Sequence, residues 1–150
     1  MAALDGVLVI DVGQYLAGPF GPRIMGDLGA RVIKVEPVTG DGMRLAGKPF
    51  FGCQRGKQDI ALDLKHPRGL EIALELIERA DIVHHNMTAG VAHRLGIGYE
   101  DCQRVNPDGI HCNTWASGPQ GPVATLGGLG PPLPSTHGLR FERVHGNPDT

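Results

Sequence analysis

Five basic side chains, Arg44, Lys48, Arg55, Lys57 and Lys65, crowd one loop and the segment that follows it. Cations grouped this way can hold phosphate oxygens through charge-assisted hydrogen bonds, although the same composition also suits lysines that only solvate a loop. Upstream, glycines at positions 13, 18 and 21 punctuate a turn. Glycine there lets a ligand approach the backbone closely. The spacing is not G-x-G-x-x-G, and no Gly-Lys-Ser/Thr follows, so neither the dinucleotide fingerprint nor a P-loop is present. Glu36, at the end of the second apolar run, stands about where a dinucleotide binder keeps its ribose acid.

Other reactive types are less suggestive. Asn86 and Arg94 flank a strand-to-helix turn, where an Asn also serves as a simple turn or cap residue. His84, His85 and His93 invite a metal reading, but adjacent histidines on a strand point to opposite faces. No Asp or Glu falls at ligand spacing beside them, so no metal site is expected. A Gly-x-Ser-x-Gly elbow is absent, and neither Ser117 nor Ser135 has a base at a recognisable position. Cys53, Cys102 and Cys112 read as small hydrophobes rather than nucleophiles.

These residues need a scaffold. Residues 6–12 form a β-branched run suited to a strand buried on both faces. Residues 23–28 have room for a short helix that Gly29 stops in a left-handed cap. Residues 31–36 read as a second strand, residues 37–56 as a loop and residues 59–64 as a third strand. Pro67 opens a helix whose apolar positions are Leu70, Ala73, Leu74, Ile77 and Ala80. Further strands are expected at 81–84 and 110–115, with helices at 91–95 and 99–104. Alternating strands and helices predict an α/β fold with a mostly parallel sheet and flanking helices. Such a sheet offers helix N-termini and free N–H groups at its carboxyl edge, where nucleotide-like anions bind.

The bulk numbers set bounds. One hundred and fifty residues suffice for one domain and would bury about 70% of the unfolded chain's surface. A net charge of -2 with 20% charged residues predicts no nucleic-acid or membrane-surface partner. No apolar run approaches the roughly 20 residues of a membrane span. Three widely spaced cysteines without a signal peptide favour a reducing, cytoplasmic setting. The last third, rich in Gly and Pro, carries no clear element.

Taken in order, the segments LAGPFGPRIMGDLGARVIKVEPVTGDGMR, QRGKQDIALDLKHPRG, ADIVHHNMTAGVAHRLGIGYED, VNPDGIHCN and SGPQGP resemble the class III CoA-transferases, the CaiB/BaiF-type family. The likeness spans about residues 5–122. It implies transfer of coenzyme A from an acyl-CoA to a carboxylic acid, a Rossmann-like large domain, a small domain and an interlocked homodimer. Position by position, it implies CoA contacts at Tyr15, Leu16 and Ala17, at Leu62 and Lys65, and at Asn86, Met87 and Arg94. Met87 stands where the family usually has Phe, keeping an apolar wall but losing a stacking ring.

Catalysis in the family resembles nucleophilic attack by an aspartate on the thioester carbonyl. The family's G-F-D-P-x-x-Q-A-x-x-G register falls on residues 128–138, where Gly130 takes the Asp position and Pro134 the Gln position. Asp149 is too far along to substitute, and the His-Asp pair of the related α-methylacyl-CoA racemases is also missing. No catalytic residue is therefore expected. Residues 1–122 read as the CoA-binding part of an incomplete large domain. Residues 123–150 read as a degenerate or truncated tail with the small domain absent. Two other readings stay open, a non-catalytic CoA- or nucleotide-binding module and an NAD-binding domain.

Overall fold

The computed structural model describes residues 1–116, 118, 120–122 and 124. Five strands, β1 (Leu8–Asp11), β2 (Arg31–Glu36), β3 (Gln58–Ala61), β4 (Ile82–His85) and β5 (Ile110–Asn113), form one sheet in the order β3-β2-β1-β4-β5. Every pairing is parallel. The chain starts in the middle, steps outward through β2 and β3, then returns to lay β4 against the other side of β1. Its direction of winding therefore reverses between β1 and β4, the switch point at which a parallel α/β sheet places its ligand crevice, at the carboxyl ends of those strands. The expected α/β architecture is the one observed.

Strand alternation sorts the core into two faces. Ile10, Val35 and Val83 pack on one side with Leu62, Ala73, Ile77, Ala92, Ile97 and Cys102. Those partners come from helices α3 (Pro67–Glu78), α4 (Val91–Arg94) and α5 (Tyr99–Val105) and the loops around them. Ile10, Ile77 and Ile97 are at most 1% exposed, and burial of each contributes about 1.5–3 kcal/mol. Asn106 ties α5 to the end of α3 by donating its amide to Ile77 O and Ala80 O. On the opposite face Val9, Ala30 and Val32 pack beneath Met25 of α1 (Ala17–Asp27).

Local chemistry explains where the elements depart from expectation. The first helix begins at Ala17 rather than near residue 23. Pro19 falls in its first turn, where the missing N–H has no intrahelical partner to lose. Gly29, at φ 103°, then ends the helix in the predicted left-handed cap, with its N–H on Gly26 O. The stretch 37–56 is not a plain loop: it holds a 3-10 turn (Gly42–Ala46) and α2 (Lys48–Gln54). Burial of Phe50 and Cys53 on one side of α2 holds that helix in place. β3 stops at Ala61 because Asp63 turns the chain, accepting from Lys65 N through its side chain and from His66 N through its carbonyl.

No helix among the described residues is long and apolar enough to cross a membrane. Ser117, Gly130, Pro134, Ser135 and Asp149 lie outside the described residues, as does all of the expected tail except Ala124.

Candidate functional site

The turn that leaves β1 is held rigidly at the crevice. Asn86, just past β4, accepts from Gln14 N through Oδ1 at 2.8 Å and donates Nδ2 to Gln14 O at 3.0 Å. Asp41 accepts from Tyr15 N at 3.1 Å. That bond helps hold Tyr15 at φ 62°, a left-handed conformation that non-glycine residues adopt reluctantly. Gly18 lies so close beneath Asn86 that an added Cβ would sit 2.5 Å from the amide. Glycine is thus demanded here by close approach, and the turn is preorganised before any ligand arrives.

Beneath the turn runs a buried network of charge. Asp11 ends β1 fully buried and accepts from Gly13 N at 2.9 Å and from Lys57 Nζ at 2.7 Å. Lys57 Nζ also donates to Pro19 O and Gln54 Oε1, joining β1, α1 and α2 at one atom. Lys34 donates to Gly13 O at 2.6 Å, and its Nζ forms an ion pair with Asp41 Oδ2 at 3.0 Å. Burial opposes ionisation of Asp11, but the His84 hydrogen bond and the Lys57 and Lys34 charges outweigh it and hold the carboxyl below its ordinary range. Burial pushes the Lys57 ammonium down, and the Asp11 carboxylate opposes that shift.

The paired histidines separate as strand geometry requires. His84 turns toward Asp11, with Nδ1 at 3.3 Å from Oδ1, and its Nε2 lies 3.1 Å from Thr114 Oγ1. His85 faces the other side, where it meets the His111 ring edge-on at 5.1 Å. Desolvation, with His111 and His84 nearby, lowers His85 to about 4. No group of three metal-ligating side chains gathers among the described residues.

The residues singled out from sequence sit on the loops at the carboxyl edge. Tyr15 is half-buried, Leu16 is exposed and Ala17 opens α1, all directly after β1. Leu62 is buried and Lys65 exposed just beyond β3. Asn86 and Met87 follow β4, with Met87 packed against the core and the Asn86 amide committed to Gln14. Arg94 is exposed at the end of α4. The basic loop divides. Arg44 is held bidentately by Glu36 at 2.7 and 2.8 Å, Arg55 pairs with Asp27, and Lys57 serves Asp11. Lys48, Lys65 and Arg94 are exposed and carry no ion pair among the described residues. A cavity of about 260 Å³ beside α2 is lined by Arg44, Arg55 and Lys57, and their pairing leaves it no spare positive charge.

Glu36, read first as a possible ribose acid, is 3% exposed and works internally, gripping Arg44 and accepting from Asp41 N. Asp11, Lys34 and Asp41 escaped the sequence reading. For Asp11 and Lys34 the signal was a charged residue inside a β-branched run, which tolerates such a group only when it is paired.

The CoA-transferase family III model matches residues 4–149 of the chain. Human succinyl-CoA:glutarate CoA-transferase is 37% identical over 145 residues, covering 91% of this chain and 33% of that protein. Acetyl-CoA:oxalate CoA-transferase of Acetobacter aceti is 43% identical over 129 residues, covering 80% of this chain and 33% of that protein. Among solved structures, a hypothetical protein from Mycobacterium tuberculosis superposes with a TM-score of 0.89 at 31% identity, covering 94% of this chain and 41% of that one. A CAIB/BAIF family protein from Brucella suis gives 0.81 at 35% identity, covering 85% and 37%. The chain spans about a third of the length of these curated relatives.

Proposed function

The chain belongs to CoA-transferase family III, and from that premise we propose that its sheet edge is the coenzyme A-holding part of an acyl-CoA:carboxylate CoA-transferase. The observation that carries the reading is the clamped turn at Tyr15–Ala17 after β1, together with exposed cations in the segments that follow β3 and β4, Lys65 and Arg94, which carry no ion pair among the described residues. A rigid backbone turn can lie against the pantetheine arm without being ordered by it, so binding loses little conformational entropy. Lys65 and Arg94 supply charge for the phosphates. Met87 and Leu62 supply apolar surface.

The substrates are an acyl-CoA and a carboxylic acid, and the assembly is the homodimer implied by the family. The three cysteines are all free, which supports a reducing, cytoplasmic setting. Gly130 at the register of the attacking carboxylate supports a chain that binds CoA without transferring it. The test is calorimetric titration with CoA, paired with an assay of succinyl-CoA against glutarate or oxalate. Saturable binding without transfer is expected. A folded protein giving no binding heat at several temperatures would overturn the CoA reading, and robust transfer would overturn the inactive one.

A further inference from the structure

The charge network uses Asp11 and Lys57 to join three elements, and one arrangement in it reaches beyond the support of Asp11. Asp11 Oδ1 and Thr114 Oγ1 contact opposite nitrogens of the His84 ring, at 3.3 Å and 3.1 Å. Asp11 is held ionised, so it can only accept, and His84 must place its proton on Nδ1. In the neutral ring Nε2 is then the acceptor that faces the Thr114 hydroxyl. The aspartate is fully buried and the His84 side chain 5% exposed, while Thr114 is exposed at the carboxyl end of β5. A histidine kept only to satisfy Asp11 needs no second contact to an exposed hydroxyl.

We propose that Asp11, His84 and Thr114 form an acyl-transfer triad that hydrolyses activated esters and acyl thioesters. The roles follow from geometry: a buried acid orients a ring, and the ring's free nitrogen activates a hydroxyl, whatever the fold. Thr114 Oγ1 forms a bond to the acyl carbon as its proton passes to His84 Nε2. The C–S or C–O bond to the leaving group then breaks, and that group takes the proton from Nε2. Water next adds to the acyl carbon and gives its proton to Nε2, and the bond to Thr114 Oγ1 breaks. That proton returns to the hydroxyl, leaving free acid, free thiol or alcohol, and the original side chains. This inference goes beyond CoA transfer and does not rest on the CoA pocket, because a simple aryl ester serves as substrate.

The full chain is assayed for release of p-nitrophenol from p-nitrophenyl acetate and of free thiol from acetyl-CoA, with no carboxylate acceptor. Thr114→Val preserves the shape of an exposed residue and is expected to lower hydrolysis about 100-fold, as is His84→Gln. Thr114→Ser restores the hydroxyl and is expected to keep the activity, a rescue that a packing role would not give. Mass spectrometry of the quenched reaction is expected to find the acetyl group on Thr114. Hydrolysis no faster than buffer, wild-type rates in Thr114→Val, or acetylation confined to another residue would each overturn the proposal. Failure with acetyl-CoA but success with the aryl ester would overturn the thioester half of the proposal and sustain the ester half.

Discussion

Lys57 Nζ reaches Asp11 Oδ2 at 2.7 Å with both side chains closed to solvent, at 1% and 0% exposure. The pair lies 46 residues apart in sequence and fixes the end of β1 against α1 and α2. Its strength lies less in mutual attraction than in what each charge would suffer alone, because an unpaired buried ion loses its hydration without compensation.

Lys57→Met therefore strands the Asp11 carboxylate, and the expected cost is about 3–5 kcal/mol. Asp11→Asn in the same chain removes the stranded charge, so the double variant should regain part of that loss. Urea denaturation followed by circular dichroism measures both. Equal stability of the single and double variants would remove the argument.

A methyl group at position 18 meets Asn86 head-on. Gly18→Ala improves helix propensity by about 1 kcal/mol, but it displaces the amide that brackets Gln14, at a cost of about 1–3 kcal/mol. A net loss is expected, together with weaker CoA binding. Once the amide has been displaced, Asn86→Ala should add little further cost, so the two changes should be strongly non-additive in a double-mutant cycle.

The scaffold was legible in sequence because its signals are local. The β-branched runs around Ile10, Val35 and Val83 and the spacing of Leu70, Ala73, Leu74 and Ile77 each report burial over a few residues. The parallel α/β class follows from their alternation. α2 was missed because only Phe50 and Cys53 turn inward on a helix of seven residues, too few to set a period. The partners of Glu36, Arg44 and Lys57 were hidden for a different reason. A charged residue announces that it needs a partner, but the sequence does not say which one the fold supplies. The Asp11–His84 contact joins residues 73 apart, and only the pairing of β4 beside β1 brings them together.

His85 makes stability depend on pH. The folded ring stays neutral down to about 4, whereas an unfolded histidine takes its proton near pH 6.5. Between those values the unfolded chain binds more protons, so stability is full above about pH 6.5 and falls as the pH drops toward about 4. The loss should reach about 3 kcal/mol, apart from what other groups contribute. His85→Gln should flatten that part of the curve, and a urea midpoint series from pH 7.5 to roughly 4.5 reads the difference. An unchanged slope in the variant would assign the pH dependence elsewhere.

Lys65 and Arg94, like Lys48, carry no ion pair among the described residues, and the phosphate contacts of the CoA reading rest on the first two. Both are exposed, so each contact with phosphate is screened and contributes modestly, about 1 kcal/mol or roughly fivefold in affinity. Lys65→Ala and Arg94→Ala should each weaken CoA by that factor, and together by roughly 25-fold if the two positions act independently. Neither change touches the core, so thermal stability should hold. Arg44→Ala is the telling control, because Glu36 already occupies that guanidinium. It should cost stability and leave CoA affinity nearly unchanged. Raising the salt to about 0.5 M should weaken the wild-type complex more than that of the double variant, since only the former has these phosphate contacts to screen. If the double variant bound CoA as tightly as the wild type at low salt, the phosphates would have to lie elsewhere on the molecule.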